Sequence, residues 1–379
     1  MQRTGSFLKR RGRRTAGFTL VELLVAMFIF GVISAAAFGL MSQHQPLFNQ
    51  QQSQAALNIS MRNAVAQMQI DIVNGGAGYV SAINTPNWPV GIVITNHVVG
   101  STQDCHSGTT YAASCFDSFT VITADPATSV VNPLADSSGS LPVVAGSCTL
   151  TPASTNTSND HDTYVLPPAK GAFHQYDQVL FVKSDGSKYT TVKLTGVASV
   201  TVSGQSYVKL SHSVLTIAGG TNASSDDQTG MSVNSSDQTA DQFCATDYVI
   251  RLLPVQYCVD VTTDSTNPTL KRLVIVNNSS TTPLPCSGGV TLANQIIGFK
   301  VGAALASGTT DVATYNFNAS TFGSGAGYDY TQVRSVMISL VGRTPPVEDP
   351  TYVFRNSFDG GPYQIQGVSV VVNPRNMSM

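Results

Sequence analysis

Glu22 is the strongest candidate for a functional residue, because it is the only charged residue among the 24 residues from Phe18 to Met41. A carboxylate within an apolar stretch is costly unless a cation or several hydrogen bonds compensate it. The alternative is that Glu22 lies close enough to a membrane surface for its side chain to reach water. An ionisable residue in such a stretch is treated first as a functional residue.

Two polar stretches, residues 149–163 and 219–241, contain clustered carboxylates of the kind that Ca²⁺ prefers. Neither has the ligand spacing of an EF-hand, and both are predicted to be long exposed loops. The sequence therefore predicts no cofactor. If Ca²⁺ binds, the candidate ligands are Asp160, Asp162, Asp226 and Asp227.

The chain has six cysteines, none of them in a Cys-x-x-Cys pair: Cys105, Cys115, Cys148, Cys244, Cys258 and Cys286. This spacing does not favour zinc ribbons or thioredoxin-like redox sites. An even number in an exported chain favours disulfides, and the alternative is six independent buried thiols. Cys105 and Cys115 are the first candidates for a pair because they bracket a short polar loop, and the other pairings stay open.

Motifs for catalysis are absent from the sequence. There is no Gly-x-Ser-x-Gly, His-Glu-x-x-His or Walker-type phosphate loop, and glutamate occurs only as Glu22 and Glu348. The chain is therefore predicted not to be an enzyme. Six of its 20 basic residues lie within residues 1–17, so the remainder carries 14 basic and 22 acidic residues, a net charge of −8. An acidic body does not favour nucleic-acid binding by the whole surface.

The basic segment is followed directly by the apolar run, which as a helix would span about 36 Å and cross a hydrocarbon core of about 30 Å. The basic flank is expected in the cytoplasm and the rest of the chain outside it. One interpretation is a signal peptide cleaved after residues 35–37, all alanine. A second is a plain membrane anchor, which gives no reason for Glu22.

A third interpretation accounts for every feature, because the sequence Gly-Phe-Thr-Leu-Val-Glu-Leu-Leu-Val from Gly17 resembles the class III signal of type IV prepilins. The resemblance implies that a prepilin peptidase removes residues 1–17 by cutting after Gly17, and that Phe18 becomes N-methylated. The apolar helix stays attached. Glu22 would then neutralise the new amine on its own subunit or on the preceding one, which would set the axial register of an incoming subunit.

Beyond Met41 the pattern becomes amphipathic and predicts that the helix continues to about Val73, where the sequence from Asn74 to Gly78 ends it. Pro46 is expected to kink the helix or melt it locally. The predicted organisation is a removed leader (1–17), a transmembrane and assembly helix (18–74) and a β-rich periplasmic domain (75–379). The predicted fold class is α+β, with the second half of the helix packed on the β-rich lobe.

Short apolar runs separated by turn residues predict eleven strand segments. The segments 255–261 and 270–276 flank a polar loop and predict a hairpin. The predicted segments are Gly91–Thr95, Ser118–Thr123, Gln178–Lys183, Tyr189–Leu194, Ser206–Leu210, Asp247–Leu252, Val255–Val261, Leu270–Val276, Ile296–Val301, Val333–Val341 and Ile365–Val372.

Four C-terminal segments, 248–260, 292–301, 333–343 and 370–376, resemble the C-terminal half of PilW-type minor pilins. This resemblance implies a non-catalytic minor pilin near the tip of a type IV pilus, anchored in the bacterial inner membrane before it joins the fibre. The implied partners are other pilins and minor pilins, the prepilin peptidase and N-methyltransferase, and the inner-membrane assembly platform. The alternatives are a type II secretion pseudopilin of the J or K type, and a tip adhesin or DNA-uptake binding module.

Overall fold

The computed structural model describes residues 17, 19–79, 91–97, 106–107, 110–137, 140–143, 161–182, 184, 189–202, 204–212, 246–276, 285–307, 310–311, 315, 317, 333–347, 354–357 and 360–374. Contacts divide the chain into two compact units, residues 1–55 and 56–379. The first unit holds the start of one long helix, and the second holds the rest of that helix and all described strands. The predicted α+β class, an apolar N-terminal helix followed by a β-rich domain, is confirmed.

Helix α1 runs from Leu20 to Val73, a length of 54 residues or about 80 Å. Its C-terminal end agrees with the prediction. Gly76 and Gly78 follow it with φ angles of 70° and 81°, values that glycine adopts without steric cost. The helix is continuous through Pro46, so the predicted local melting there is wrong. One proline removes a single backbone hydrogen bond, and the flanking turns maintain the helix.

The described strands account for most of the second unit. They are β1 (Ile92–Thr95), β2 (His106–Ser107), β3 (Thr110–Tyr111), β4 (Ser118–Ala124), β5 (Pro133–Ser137), β6 (Ser140–Val143), β7 (His161–Val165), β8 (Gln178–Val182), β9 (Tyr189–Val202), β10 (Gln205–His212), β11 (Tyr248–Asp260), β12 (Thr269–Val274), β13 (Val290–Ala293), β14 (Ile296–Ser307), β15 (Thr310–Asp311), β16 (Val333–Arg343) and β17 (Ile365–Val372).

These strands form two main sheets within the described residues. The larger has the order β1-β4-β11-β8-β9-β10-β7-β5-β6, with β12 and β13 alongside the second half of β11. The smaller has the order β15-β14-β16-β17, and β2 pairs separately with β3. All described pairings are antiparallel.

Residues 125–247, here called the inserted region, lie between two strands that are direct neighbours. Strands β4 and β11 pair from Ala124 opposite Leu252 to Phe119 opposite Tyr257. Strands β5 to β10 all come from the chain between them and extend the larger sheet beyond β11. The sheet therefore contains a part that packs with α1 and a part added by the inserted region.

The main hydrophobic core joins α1 to both sheets. The helix contributes residues three or four positions apart along one face, Leu57, Met61, Ala64, Val65, Met68 and Ile72. Phe119 and Tyr257 of the larger sheet stack at 4.9 Å between ring centroids, and Phe299 of the smaller sheet lies 6.1 Å from Phe119. Burial of one such side chain contributes about 1.5–3 kcal/mol, so this face holds the second half of α1 on the sheets.

The inserted region forms a second hydrophobic core together with Val249 of β11. Val179 and Phe181 of β8 pack with residues of β7, β9 and β10 on one face of the sheet. Leu180 and Val182 pack on the opposite face with residues of β4 and β11. Strand β8 is consequently buried on both faces, which explains its continuous apolar sequence.

A buried salt bridge lies where the inserted region meets the rest of the larger sheet. Arg251 on β11 places Nη1 2.7 Å from Asp125, and its Nη2 donates a 2.8 Å hydrogen bond to Asp177. Asp125 follows β4 and Asp177 precedes β8. Because both carboxylates are nearly buried, the guanidinium between them compensates their loss of hydration.

Polar contacts also tie α1 and the smaller sheet to the larger one. Asp71 of α1 accepts hydrogen bonds from the Tyr257 hydroxyl at 2.5 Å and from Arg272 Nε at 2.8 Å. Asp117 is fully buried and accepts hydrogen bonds from Lys300 Nζ at 2.9 Å and from the Val301 backbone N–H at 3.0 Å. These contacts fix the register between elements that are far apart in the sequence.

Each of the eleven predicted strand segments overlaps a described strand. The predicted hairpin is confirmed, with Val255 of β11 opposite Val274 of β12. The prediction of an exposed loop is wrong for residues 161–163, which begin β7. There Thr163 is buried against β10, with its hydroxyl 2.7 Å from His212 Nε2.

Candidate functional site

The first turn of α1 is a capping box built from Thr19 and Glu22. The Glu22 backbone N–H donates to the Thr19 hydroxyl at 3.3 Å, and the Thr19 backbone N–H donates to Glu22 Oε2 at 2.9 Å. The Thr19 hydroxyl also donates to Oε2 at 3.0 Å. Two backbone N–H groups that the helix itself leaves without partners are thereby satisfied.

The capping box holds the Glu22 carboxylate within its own chain. It lies in the first turn, where the partial positive charge of the helix N-terminus favours an anion. This arrangement was not among the predictions from the sequence, although Thr-x-x-Glu before an apolar run is its known signature. The glutamate is therefore already hydrogen-bonded within its own chain.

An exposed apolar surface follows directly after the capping box. Leu20–Met41 is the one helical stretch among the described residues that is long and apolar enough to cross a membrane, judged by length and composition, with a mean hydropathy of 2.5 in its most apolar window. Phe28, Phe30 and Phe38 are each 72 % exposed. At 22 residues the stretch is about 33 Å long, which matches a hydrocarbon core.

Gly17, on the N-terminal side of this segment, is exposed, and no atom lies within 4 Å of the position that a Cβ would take. Phe18 lies outside the described residues. The predicted cut between them and the N-methylation of Phe18 therefore stay predictions.

The cysteine predictions have mixed outcomes. Cys258 on β11 and Cys286 form a disulfide with 6.0 Å between their Cα atoms. Cys115 is buried in the main core, but Cys105, Cys148 and Cys244 lie outside the described residues. The proposed Cys105–Cys115 pair stays a prediction.

Of the calcium candidates, Asp162 lies in β7 opposite Ser211 of β10. Asp160, Asp226 and Asp227 lie outside the described residues, so calcium binding also stays a prediction. Across the described ranges, no group of three or more His, Cys, Asp or Glu side chains is placed to hold a metal ion.

Comparison with curated protein sequences gave no match. Among solved structures, a type IV-like pilin from Thermus thermophilus is similar at 13 % sequence identity with a TM-score of 0.19, over 34 % of this chain and 70 % of that chain. Residues 12–38 match the family model of the prokaryotic N-terminal methylation motif. The N-terminal segment of the chain therefore carries the methylation motif of type IV prepilins.

The matched motif is that of pilin-type structural subunits, which agrees with the prediction that this chain is not an enzyme. The motif implies assembly with other pilins and processing by a prepilin peptidase. The motif and the exposed apolar helix fit anchoring in a membrane followed by incorporation into a pilus.

Proposed function

We propose that the chain is a minor pilin of a type IV pilus, of the PilW type, which is cut between Gly17 and Phe18 and assembles through residues 18–41. The observation that carries the proposal is the Glu22 carboxylate, which is hydrogen-bonded in a capping box at the start of an exposed apolar helix. Glu22 also lies within the methylation motif. In this account Thr19 holds Glu22 in the membrane-embedded subunit. On assembly, Glu22 pairs with the Phe18 amine of a neighbouring subunit.

The energetic reason for such a pair is the low dielectric of the fibre core. A buried amine or carboxylate without a partner costs several kcal/mol, whereas a correctly placed pair avoids most of that cost. Only one axial position of the incoming subunit places the two charges together. Glu22 therefore selects the register of assembly.

The PilW-type assignment is supported by where its resembling segments lie. They contribute β11, β13 with the start of β14, β16, and the end of β17. Residues of these strands pack with α1 in the main hydrophobic core. The similar segments are thus the ones that build the helix-bearing half of the domain.

A minor position near the tip is supported by the inserted region. It adds six strands and a separate hydrophobic core to the domain. A domain enlarged in this way packs less readily along a dense shaft than at an end. The inserted region lies largely outside the PilW resemblance, which favours a binding role for it, as in a tip adhesin or DNA-uptake receptor, as the second candidate function.

The paired variants Glu22→Gln and Thr19→Ala test the assembly role. The glutamine variant retains a hydrogen-bond acceptor for the cap but has no charge, whereas the alanine variant removes the cap and leaves the carboxylate. Glu22→Gln is expected to lower incorporation into sheared fibres at least tenfold without changing the amount in the membrane. Thr19→Ala is expected to retain more incorporation than Glu22→Gln.

Equal incorporation of the Glu22→Gln variant and the unaltered chain would contradict the role of the charge. Recovery of the tagged chain with other minor pilins, and loss of surface pili on its deletion, would support the pilus rather than a secretion machine. Normal piliation without pilin partners would overturn the minor-pilin proposal.

A further inference from the structure

Strand β17 forms one edge of the smaller sheet. It pairs with β16 along its whole length, from Arg343 opposite Ile365 to Val336 opposite Val372. No strand in the described part of the chain pairs with its other side. Because consecutive residues of a strand point their backbone N–H and C=O groups to alternate sides, every second residue of β17 offers both groups to another strand.

On the other side of this sheet, β15 pairs with the end of β14, and hydrogen bonds from other elements occupy groups along the rest of β14. The Asp117 backbone N–H donates to Phe299 O at 3.0 Å, and Asn96 Nδ2 donates to Val301 O at 2.8 Å. The Ile296 backbone N–H donates to Pro268 O at 2.9 Å. The two edges of the same sheet therefore differ, one being satisfied within the chain and one open among the described residues.

The sequence of β17 has none of the features that usually protect an edge strand. It reads Ile-Gln-Gly-Val-Ser-Val-Val-Val and contains no proline and no charged residue. Val368 and Val370 pack towards the main core, while Gly367, Ser369 and Val371 point to the exposed face. An uncharged, apolar edge of eight residues is a template for pairing with another strand.

We propose that β17 pairs antiparallel with β17 of a second copy of this chain, with Ser369 opposite Ser369. Cross-strand partners in a sheet lie on the same face, so a shift by one residue is not allowed. In the proposed register, Gly367 lies opposite Val371 on the exposed face and Val368 lies opposite Val370 on the core face. Each bulky residue of the exposed face meets a small one, and no like charges meet.

The neighbouring strand supports the same register. Ser339 of β16 lies opposite Ser369 with 2.9 Å between the hydroxyl oxygens. Pairing at Ser369 would continue this row of serines across the junction and extend the valine row that covers the core. The strand proposed to pair with this edge is therefore β17 of a second copy, because its sequence is complementary to itself in this register.

Cysteine crosslinking of the full-length chain in native membranes tests both the pairing and its register. Directly opposite residues have Cβ atoms about 4.5–5.5 Å apart, close enough for a disulfide after a small adjustment. Ser369→Cys alone is expected to form a disulfide-linked homodimer. Gly367→Cys alone and Val371→Cys alone are expected not to form one, whereas the two variants expressed together with different tags are expected to link to each other.

The proposal is overturned if Ser369→Cys gives no more homodimer than Gly367→Cys, or if it links only to a different protein. Co-expression of the Gly367→Cys and Val371→Cys variants without a mixed dimer would overturn the register. Because β17 is remote in sequence from Glu22, the crosslink is expected to persist in the Glu22→Gln background. Failure of the assembly proposal and failure of strand pairing are therefore separable.

Discussion

Asp260 shows how single residues of the β-rich domain meet the cost of burial. Its carboxylate lies 2.9 Å from Lys271 Nζ and accepts hydrogen bonds of 2.7 Å from the hydroxyls of Thr262 and Thr263. Burial alone would raise the pKa of Asp260, but these donors outweigh it and hold the pKa well below its usual range. The ionised form is therefore the one that the folded state stabilises.

This lowered pKa predicts a particular dependence of stability on pH. The unfolded carboxyl has a pKa of about 3.8, so the stabilisation from Asp260 is fully present above that pH and is lost as the pH falls through the lower folded pKa. Asp260→Asn should reduce the slope of unfolding free energy against pH below about pH 4. Urea unfolding of the full-length chain in detergent, from about pH 3 to about pH 7, measures this slope.

At neutral pH the same variant leaves Lys271 buried without its anion, for which a loss of about 3–5 kcal/mol is expected. Asp264→Asn is the matched control, since Asp264 is exposed and accepts its hydrogen bonds only from its own turn. An unchanged slope in the Asp260→Asn variant would show that Asp260 does not carry the acid sensitivity.

At the scale of elements, the packing of α1 on β16 depends on a glycine. A Cβ at Gly342 would lie 2.8 Å from Met61 Sδ and 2.9 Å from Leu57 Cδ1. Since both side chains belong to the buried face of the helix, Gly342→Ala is expected to lower the unfolding free energy by about 1–3 kcal/mol.

Gly367→Ala in the adjacent strand β17 is the control for this variant. The nearest atom to a Cβ at that position is Leu340 O at 3.8 Å, an ordinary contact. Denaturant midpoints of the two variants should therefore differ, with Gly367→Ala close to the unaltered chain. Equal midpoints would mean that α1 does not press on β16 at Gly342.

The disulfide predicts a second effect on stability. Cys258 and Cys286 are 28 residues apart, and closing a loop of that length in the unfolded chain is worth roughly 3–4 kcal/mol on the chain-entropy model. The double variant Cys258→Ala/Cys286→Ala should lose about that amount in chemical unfolding without reductant. The single variant Cys286→Ala, measured with reductant, should lose about the same unfolding free energy as the double variant. A loss below about 1 kcal/mol in the double variant would contradict this expectation.

Strand β11 shows where prediction from the sequence stops at this scale. The sequence predicts two separate strands here, 247–252 and 255–261, and Pro254 lies between them. In the structure the neighbour on one side changes at that point from β8 to β12, and the Ile275 backbone N–H donates to Pro254 O at 2.9 Å. At Pro254, neither β8 nor β12 pairs with this side of β11, so no neighbouring strand needs the backbone N–H that proline lacks. Strand β11 therefore continues through Pro254 as one strand of 13 residues.

At the scale of the whole molecule, local patterns predicted the elements but not their arrangement. The length of α1 and most strand positions follow from periodicity, from glycine at the end of the helix and from short apolar runs. The adjacency of β4 and β11 across the inserted region does not, because it depends on contacts between residues far apart in the sequence, such as Arg251 with Asp125, 126 positions away. The charge at Glu22 was predicted to matter, whereas its hydrogen bond to Thr19 was missed.

The inserted region and the N-terminal motif lie in different parts of the chain. The exposed helix segment and the motif at residues 12–38 concern processing and assembly. The strands of the inserted region pack around a separate core and are not needed to bury the face of α1. Under the proposed function, assembly would depend on the N-terminal helix segment, and a binding role would belong to the inserted region.

The central proposal is that this chain is a prepilin cut after Gly17, and mass spectrometry of its mature N-terminus tests that proposal most directly. The account predicts a chain that lacks residues 1–17 and begins with N-methylated Phe18. A mature chain that begins at residue 38, or one that retains residues 1–17, would contradict it and indicate an ordinary signal peptide or a plain membrane anchor.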